Sequence, residues 1–391
     1  MKFADVIGQD NVKERLRTLV TEQRMPHALL LQGREGTGAL PLALALAQYI
    51  DCTGPKDNGD ACGQCPACKK IQKLVHPDVH YVFPIVKLGQ SDDTDTYLPQ
   101  WRQLVENKPY FGLDDWTNAM TQSAQSRTSS AEANVNKQAL IAKDAAATVH
   151  SKLSLKPYEA QKQILILWKP ELMNEATSNS LLKILEEPPT DTLFLLVSDN
   201  PAAILPTIMS RTQVCNVPLI AEPDMVTALR DRLHLLTDEA QRLAHIAQGS
   251  YVSAIRLHEG AQNNAQYLEI FKGMMRAAWK RDVVAMNKLA EDFRALPRER
   301  VKACILYSQH LIRESFIMNL GVPKLNFLTE EEETFLTKFA PFVHVNNVEQ
   351  LAELMNDTLA KVDQNANLKM VCKTMILQLT ALIRNSQRPQ V

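Results

Sequence analysis

Apolar residues fall along this chain in two textures. Up to about residue 218, short unbroken apolar runs alternate with helix-spaced stretches. His27-Ala28-Leu29-Leu30-Leu31-Gln32, Gln163 to Trp168 and Thr192 to Val197 each read as a strand buried on both faces, the pattern of a parallel sheet covered by helices. Between them, Leu16, Leu19 and Val20 suggest a short helix, and Pro41 to Ile50 is dense enough in apolar positions for a helix on the sheet. Asn174 to Leu185 is predicted helical, with Ala176, Leu181, Leu182 and Leu185 inward and Glu187-Pro188-Pro189 as its stop. Beyond about residue 221 the strand signal fades. Helical spacing takes over at Met225/Leu229/Leu233, Leu268/Phe271/Met275, Leu351/Leu354/Met355/Leu359 and Leu368/Met375/Leu379/Leu382. The expected class is α/β plus all-α: a parallel-sheet domain over 1–218, a small helical domain over 219–261 and a helical bundle over 262–391.

Residues 87–140 interrupt this plan. Thirteen of the 22 residues from Thr117 to Gln138 are Ser, Thr, Asn or Gln, without apolar periodicity, so that part reads as a mobile polar insertion. Trp101, Tyr110, Phe111 and Trp116 just before it are expected to pack. The whole chain, 391 residues long, is 45% apolar, with 43 basic and 44 acidic side chains and a net charge of −1. That balance excludes a chain held on nucleic acid by bulk charge. No run approaches the roughly 20 apolar residues of a membrane span, and the Met1-Lys2-Phe3-Ala4-Asp5 start has no apolar signal core, so no membrane partner and a cytoplasmic location are expected.

Chemistry is suggested at two places. Gly33-Arg34-Glu35-Gly36-Thr37-Gly38-Ala39-Leu40 follows the first strand and opens a helix, the setting of a phosphate loop. Such a loop needs G-x-x-x-x-G-K-[ST], because Lys reaches the β/γ-phosphates and the hydroxyl holds Mg²⁺. Here Gly33, Gly36 and Gly38 keep the frame, while Ala39 and Leu40 stand where Lys and Ser/Thr are required. The strand ending at Leu167 should lead into acidic residues that hold Mg²⁺. Trp168-Lys169 follow instead, and Glu171 is displaced by Pro170. Productive ATP binding and hydrolysis by this chain are therefore not expected.

Cys52, Cys62, Cys65 and Cys68 form C-x9-C-x2-C-x2-C. Four thiolates at that spacing suit tetrahedral zinc with every coordination position filled, a structural rather than catalytic site. Gly59, Gly63 and Pro66 allow the turns it needs. Two rival readings are an iron–sulfur ligand set, which lacks its later Cys-Pro here, and a redox C-x-x-C, which would not need the other two cysteines. Cys215, Cys304 and Cys372 are scattered and read as buried singles.

Several segments resemble one family, the delta-prime subunits of the bacterial DNA polymerase III clamp loader. They are Phe3-x-Asp5-Val6-Ile7-Gly8-Gln9, His27 to Leu31 with its loop, the four cysteines, His76-Pro77-Asp78, Asn174 through Leu182-Lys183-Ile184-Leu185-Glu186-Glu187-Pro188-Pro189, and Leu205-Pro206-Thr207-Ile208-x-Ser210-Arg211. The resemblance implies a RecA-like AAA+ domain with a zinc-binding insertion near 52–68, a helical lid and a helical collar. It implies a non-hydrolysing subunit, not an enzyme by itself, that works with tau/gamma and delta subunits, the sliding clamp and primed DNA. It further implies that Arg211 of the Ser-Arg-Cys motif, with Thr212 in place of the Cys, acts in trans on a neighbour's ATP. Val252 stands in Gly249-Ser250-Tyr251-Val252 where ATP-sensing relatives carry Arg, in keeping with that reading. Two alternatives are an ATP-hydrolysing tau/gamma-like subunit and a zinc-dependent nucleic-acid module. The first needs the missing Lys, and the second needs a basic face around the cysteines.

Overall fold

The computed structural model describes residues 1–54, 59–86, 93–125, 139–141, 143–154, 156–321, 326, 328–364 and 366–385. It divides into two compact units, Met1–Ala254 and Ile255–Val391.

The first unit is built on five parallel strands: β1 (Ala28–Gln32), β2 (Val79–Val82), β3 (Gln163–Trp168), β4 (Thr192–Ser198) and β5 (Gln213–Asn216), in the order β2-β3-β4-β1-β5. The continuous apolar runs are the central strands, because a strand with helices on both faces has no polar side to show. Alternate residues go to opposite cores. Leu29, Leu31, Ile164, Ile166, Leu193 and Leu195 enter one; Ala28, Leu30, Leu165, Leu167, Phe194 and Leu196 enter the other. The edge strands β2 and β5 are four residues each and gave no usable periodic signal.

Helices α1 (Asp10–Thr21), α2 (Ala39–Ile50) and α3 (Pro66–Gln72) precede β2. α2 is buried from Ala39 through Tyr49. A helix apolar on all sides belongs inside a domain, and α2 lies among the residues of the first core. α7 (Glu175–Glu186) starts at Asn174, whose side chain accepts from the Thr177 amide at 2.8 Å, a helix N-cap worth about 1 kcal/mol. Its inward stripe is Thr177, Ser178, Leu181, Ile184 and Leu185. The expected Ala176 is exposed: the small polar Thr177 and Ser178 pack inward, which shifts the face by one position. α8 (Pro206–Met209), α9 (Glu222–Leu233) and α10 (Thr237–Ala247) complete this unit, followed by the start of α11 (Tyr251–Lys280).

The insertion is ordered further than its composition suggests. It carries α4 (Leu98–Asn107) and α5 (Leu113–Gln125), and α6 (Lys143–Leu153) follows it. The reading of Thr117 onward as aperiodic and mobile is corrected as far as Gln125: α5 continues through it, with Trp116 and Met120 one turn apart and fully buried. The rest of that stretch, 126–138, lies outside the described residues. Trp101 stacks on Phe83 with centroids 4.3 Å apart, Trp116 meets both rings edge-on, and its indole donates to the Pro84 carbonyl at 2.7 Å. Such pairs add to what burial alone supplies.

The second unit is helical. α12 (Val283–Ala295) packs on α16 (Leu368–Asn385), and α13 (Arg298–Asn319) on α15 (Val348–Asp363) and α14 (Glu330–Phe339). One apolar core runs through Phe271, Phe293, Leu311, Met355 and Leu379. α14 opens on a reciprocal cap between Thr329 and Glu332. Among the described residues, no helix is long and apolar enough to cross a membrane.

Candidate functional site

β1 lies between β4 and β5, so the loop after it emerges at the carboxyl edge of the sheet, where α/β folds place ligands. The Gly33 amide donates to the Ser198 carbonyl, and the Thr37 hydroxyl turns back to the Arg34 carbonyl at 2.8 Å. Gly36 and Gly38 sit at φ +86° and +98°, left-handed backbone that favours glycine. The phosphate-loop frame is therefore built. Its chemistry is replaced: Ala39 and Leu40 are 8% and 5% exposed and offer methyl groups where a phosphate site needs an ammonium and a hydroxyl.

The strand end opposite is neutralised from within. Lys169, in left-handed backbone after β3, places its ammonium 2.5 Å from Asp199 Oδ2 at the end of β4 and over the Trp168 ring. Glu171 reaches the same place with both carboxylate oxygens inaccessible and no donor toward them. Burial, then the adjacent Asp199, push Glu171 up to about 8. Burial beside a second carboxylate favours the neutral form of Glu171. Asp199 is held low against its own burial by the neighbouring Glu171 and by Lys169. A lysine paired with Asp199, beside the buried Glu171, thus stands at the strand end where an ATPase holds Mg²⁺.

Ser250 Oγ donates to the Glu35 carbonyl at 2.7 Å and the Tyr251 amide to Gly36 O at 3.0 Å, so the chain following α10 sits directly on the loop. Pro109, Tyr110 and Phe111 line the pocket with Gly33–Gly36, Gly38–Pro41, Trp168, Lys169, Asp199 and Val252. About 40 Å³ remains for the centres of water molecules, at about 10–15 Å³ for each. That is space for a few waters.

The four cysteines meet at the other end of α2. Cys52 follows its C-cap Asp51, Cys62 lies in the next turn, and Cys65 caps α3, which carries Cys68. All four sulfurs lie within 4.8 Å of one another, a set that can hold a metal such as zinc with no contribution from His76 or His80. Backbone amides prepare the sulfurs: Cys62 N–H points at Cys52 Sγ (3.3 Å), Gln64 and Cys65 N–H at Cys62 Sγ (3.4 and 3.3 Å), and Cys68 N–H at Cys65 Sγ (3.4 Å). The Gln64 and Cys65 amides draw Cys62 down. On Cys65, burial is outweighed by the Cys68 amide and by Thr53, and its pKa falls to about 5; burial raises that of Cys68. The thiolate is the metal-binding form. Cys215, Cys304 and Cys372 are buried.

Arg211 follows α8, and it is not among the residues lining the phosphate-loop pocket. Its side chain is 35% exposed, donates to the Thr207 carbonyl at 2.9 Å, and pairs with Glu186 at the end of α7 at 2.6 Å.

Residues 8–220 match the family model described as DNA polymerase III, delta subunit. This chain belongs to that family. The family match spans the sheet, the phosphate loop, the cysteine cluster and Arg211. Relatives include a DNA polymerase III subunit delta' of Bacillus subtilis, 26% identical over 271 residues, 68% of this chain and 64% of the relative. The delta' subunit of Pseudomonas aeruginosa is 28% identical over 277 residues, 69% and 66% of the two chains. A gamma/tau subunit of Mycoplasma pneumoniae is 26% identical over 268 residues, 67% of this chain and 31% of the relative. The match thus spans less than two thirds of each relative's length. Within this delta-family chain, sequence reasoning missed the roles of Tyr110 and Asp199. Tyr110 had only its place in an aromatic cluster as a signal, and Asp199 only its position after a buried strand.

Proposed function

We propose that this chain is a delta-prime-type subunit of a DNA polymerase III clamp loader, which neither binds ATP productively nor hydrolyses it and so is not an enzyme by itself. The observation that carries the reading is the phosphate loop: its glycine frame stands intact around Ala39 and Leu40, and the facing strand end is occupied by Lys169. Partners would be tau/gamma and delta subunits, with the sliding clamp and primed DNA reached through the assembled complex. The four cysteines would hold one structural zinc that folds the 52–68 segment.

Arg211 would contribute to catalysis in trans. An arginine from a neighbouring chain stabilises the charge spreading over the transferred phosphoryl oxygens, worth about 10³–10⁵ in rate in GTPases. The half-exposed guanidinium, tied to Glu186 and the Thr207 carbonyl, is pre-formed for such a role while remaining reachable. With one ATP site of several facing this chain, the loss in the whole complex is smaller than that figure. Arg211→Ala, reconstituted with tau/gamma- and delta-type subunits, is expected to assemble normally yet to slow DNA-stimulated ATP hydrolysis and clamp loading. Arg211→Lys should rescue little, because a point charge lacks the planar fork. Unchanged loading by the assembled Arg211→Ala complex would overturn the role in trans, and failure of wild-type protein to co-assemble would overturn the reading as a whole.

A further inference from the structure

The pocket of the degenerate phosphate loop is walled on one side by the protein's own insertion. The turn between α4 and α5 is braced at its base, where Lys108 pairs with Asp115 at 2.9 Å and the Gly112 amide donates to the same carboxylate at 2.8 Å. From that base Tyr110 reaches over Gly38: a Cβ added to Gly38 would lie 3.2 Å from the phenol oxygen. Tyr110 is 2% exposed, and its hydroxyl accepts from the Ile7 amide at 2.8 Å. Its ring meets that of Tyr251 edge-on with centroids 5.1 Å apart. Arg232 of α9 lies over both rings, at 5.6 and 5.7 Å, and donates to the Asp5 carbonyl. One tyrosine therefore touches the phosphate loop, the N-terminal segment and the chain that follows α10.

We propose that the Lys108–Gly112 turn is a resident substitute for the bridging role of a nucleotide: it walls the phosphate-loop pocket and ties the helical segment from α9 to Tyr251 to the sheet, so that this segment keeps one arrangement whether or not ATP is present. In a nucleotide-dependent domain the bound ligand bridges such elements, and its binding or loss shifts the population of arrangements. A tie supplied by the chain itself has no such dependence, because it cannot dissociate. The feature explains why the glycine frame is kept: φ near +90° at Gly38 gives Tyr110 its seat. The inference stands on contacts within the first unit and does not depend on any role in a clamp loader.

Hydrogen–deuterium exchange on the full chain tests it. In wild-type protein, millimolar Mg²⁺-ATP should alter exchange neither in the loop from Gly33 to Leu40 nor in residues 222–254. Tyr110→Ala should speed exchange across residues 222–254 by about tenfold, with β1 and β4 unchanged. Tyr110→Phe keeps the ring and should free the Ile7 amide alone. Arg232→Gln reads the same tie from the α9 side while leaving the turn against the pocket, and it too should speed exchange in 222–254, which keeps the test open if Tyr110→Ala loosens the sheet. Slow, wild-type exchange in 222–254 for Arg232→Gln and for a folded Tyr110→Ala, or protection of Gly33–Leu40 by Mg²⁺-ATP in the wild type, would overturn the proposal.

Discussion

The two ends of α2 make opposite uses of similar local equipment. At its N-terminus a glycine loop keeps its backbone, with Gly36 and Gly38 in left-handed conformation, but has apolar side chains where phosphate chemistry needs charge. At its C-terminus the turns around Gly59 and Gly63 keep every ligand: four sulfurs within 4.8 Å, with backbone amides aimed at three of them. Backbone shape is common to both ends; side chains decide which one can still hold an ion. A preserved loop geometry is therefore weak evidence for a bound ligand, and a complete donor set is strong evidence.

The sharpest way to break this contrast is at the cysteines. Cys65→Ser should release the metal and unfold the 52–68 segment, since a structural zinc carries on the order of 10 kcal/mol of apparent binding energy. Metal analysis and limited proteolysis check this, with about one equivalent of zinc expected in never-chelated wild-type protein. Next in size is Lys169→Met. It leaves Asp199 and Glu171 without their ammonium in a site where Lys169 is 6% exposed, and stability should fall on the order of 3 kcal/mol in denaturant titrations. Smaller is the pH dependence of Glu171. Its folded pKa is raised from 4.5 to about 8, so the folded state keeps a proton that the unfolded chain has released. That stabilisation is whole below about pH 4.5 and is lost as pH rises through 8. Glu171→Gln should flatten the fall of melting temperature between pH 5 and 8. The smallest effect is expected at the loop itself: Ala39→Lys should create no ATPase activity in a turnover assay, because Leu40 and Lys169 still deny Mg²⁺ its ligands.

Much of this was legible in the sequence. Leu29 to Leu31, Ile164 to Leu167 and Leu193 to Val197 announce buried strands because each is apolar on both faces. The cysteine spacing gives the metal cluster because chelation by neighbouring turns is local. Ala39 and Leu40 reveal the lost chemistry because that motif is contiguous. Long-range contacts were hidden. Nothing near Tyr110 in the chain says that its hydroxyl will meet Ile7 and its ring Tyr251, since the pairing spans more than a hundred residues in each direction. The polar texture of α5 hid a helix held by two side chains, Trp116 and Met120. Lys169 read simply as a missing acid; only the fold brings it to Asp199.

The most direct measurement is a calorimetric titration of this chain, prepared with zinc, with Mg²⁺-ATP. The expected result is no saturable binding at millimolar nucleotide, with the zinc retained throughout. Stoichiometric, Mg²⁺-dependent binding that disappears on Gly36→Val would contradict the account, because it would show a working phosphate site behind Ala39, Leu40 and Lys169.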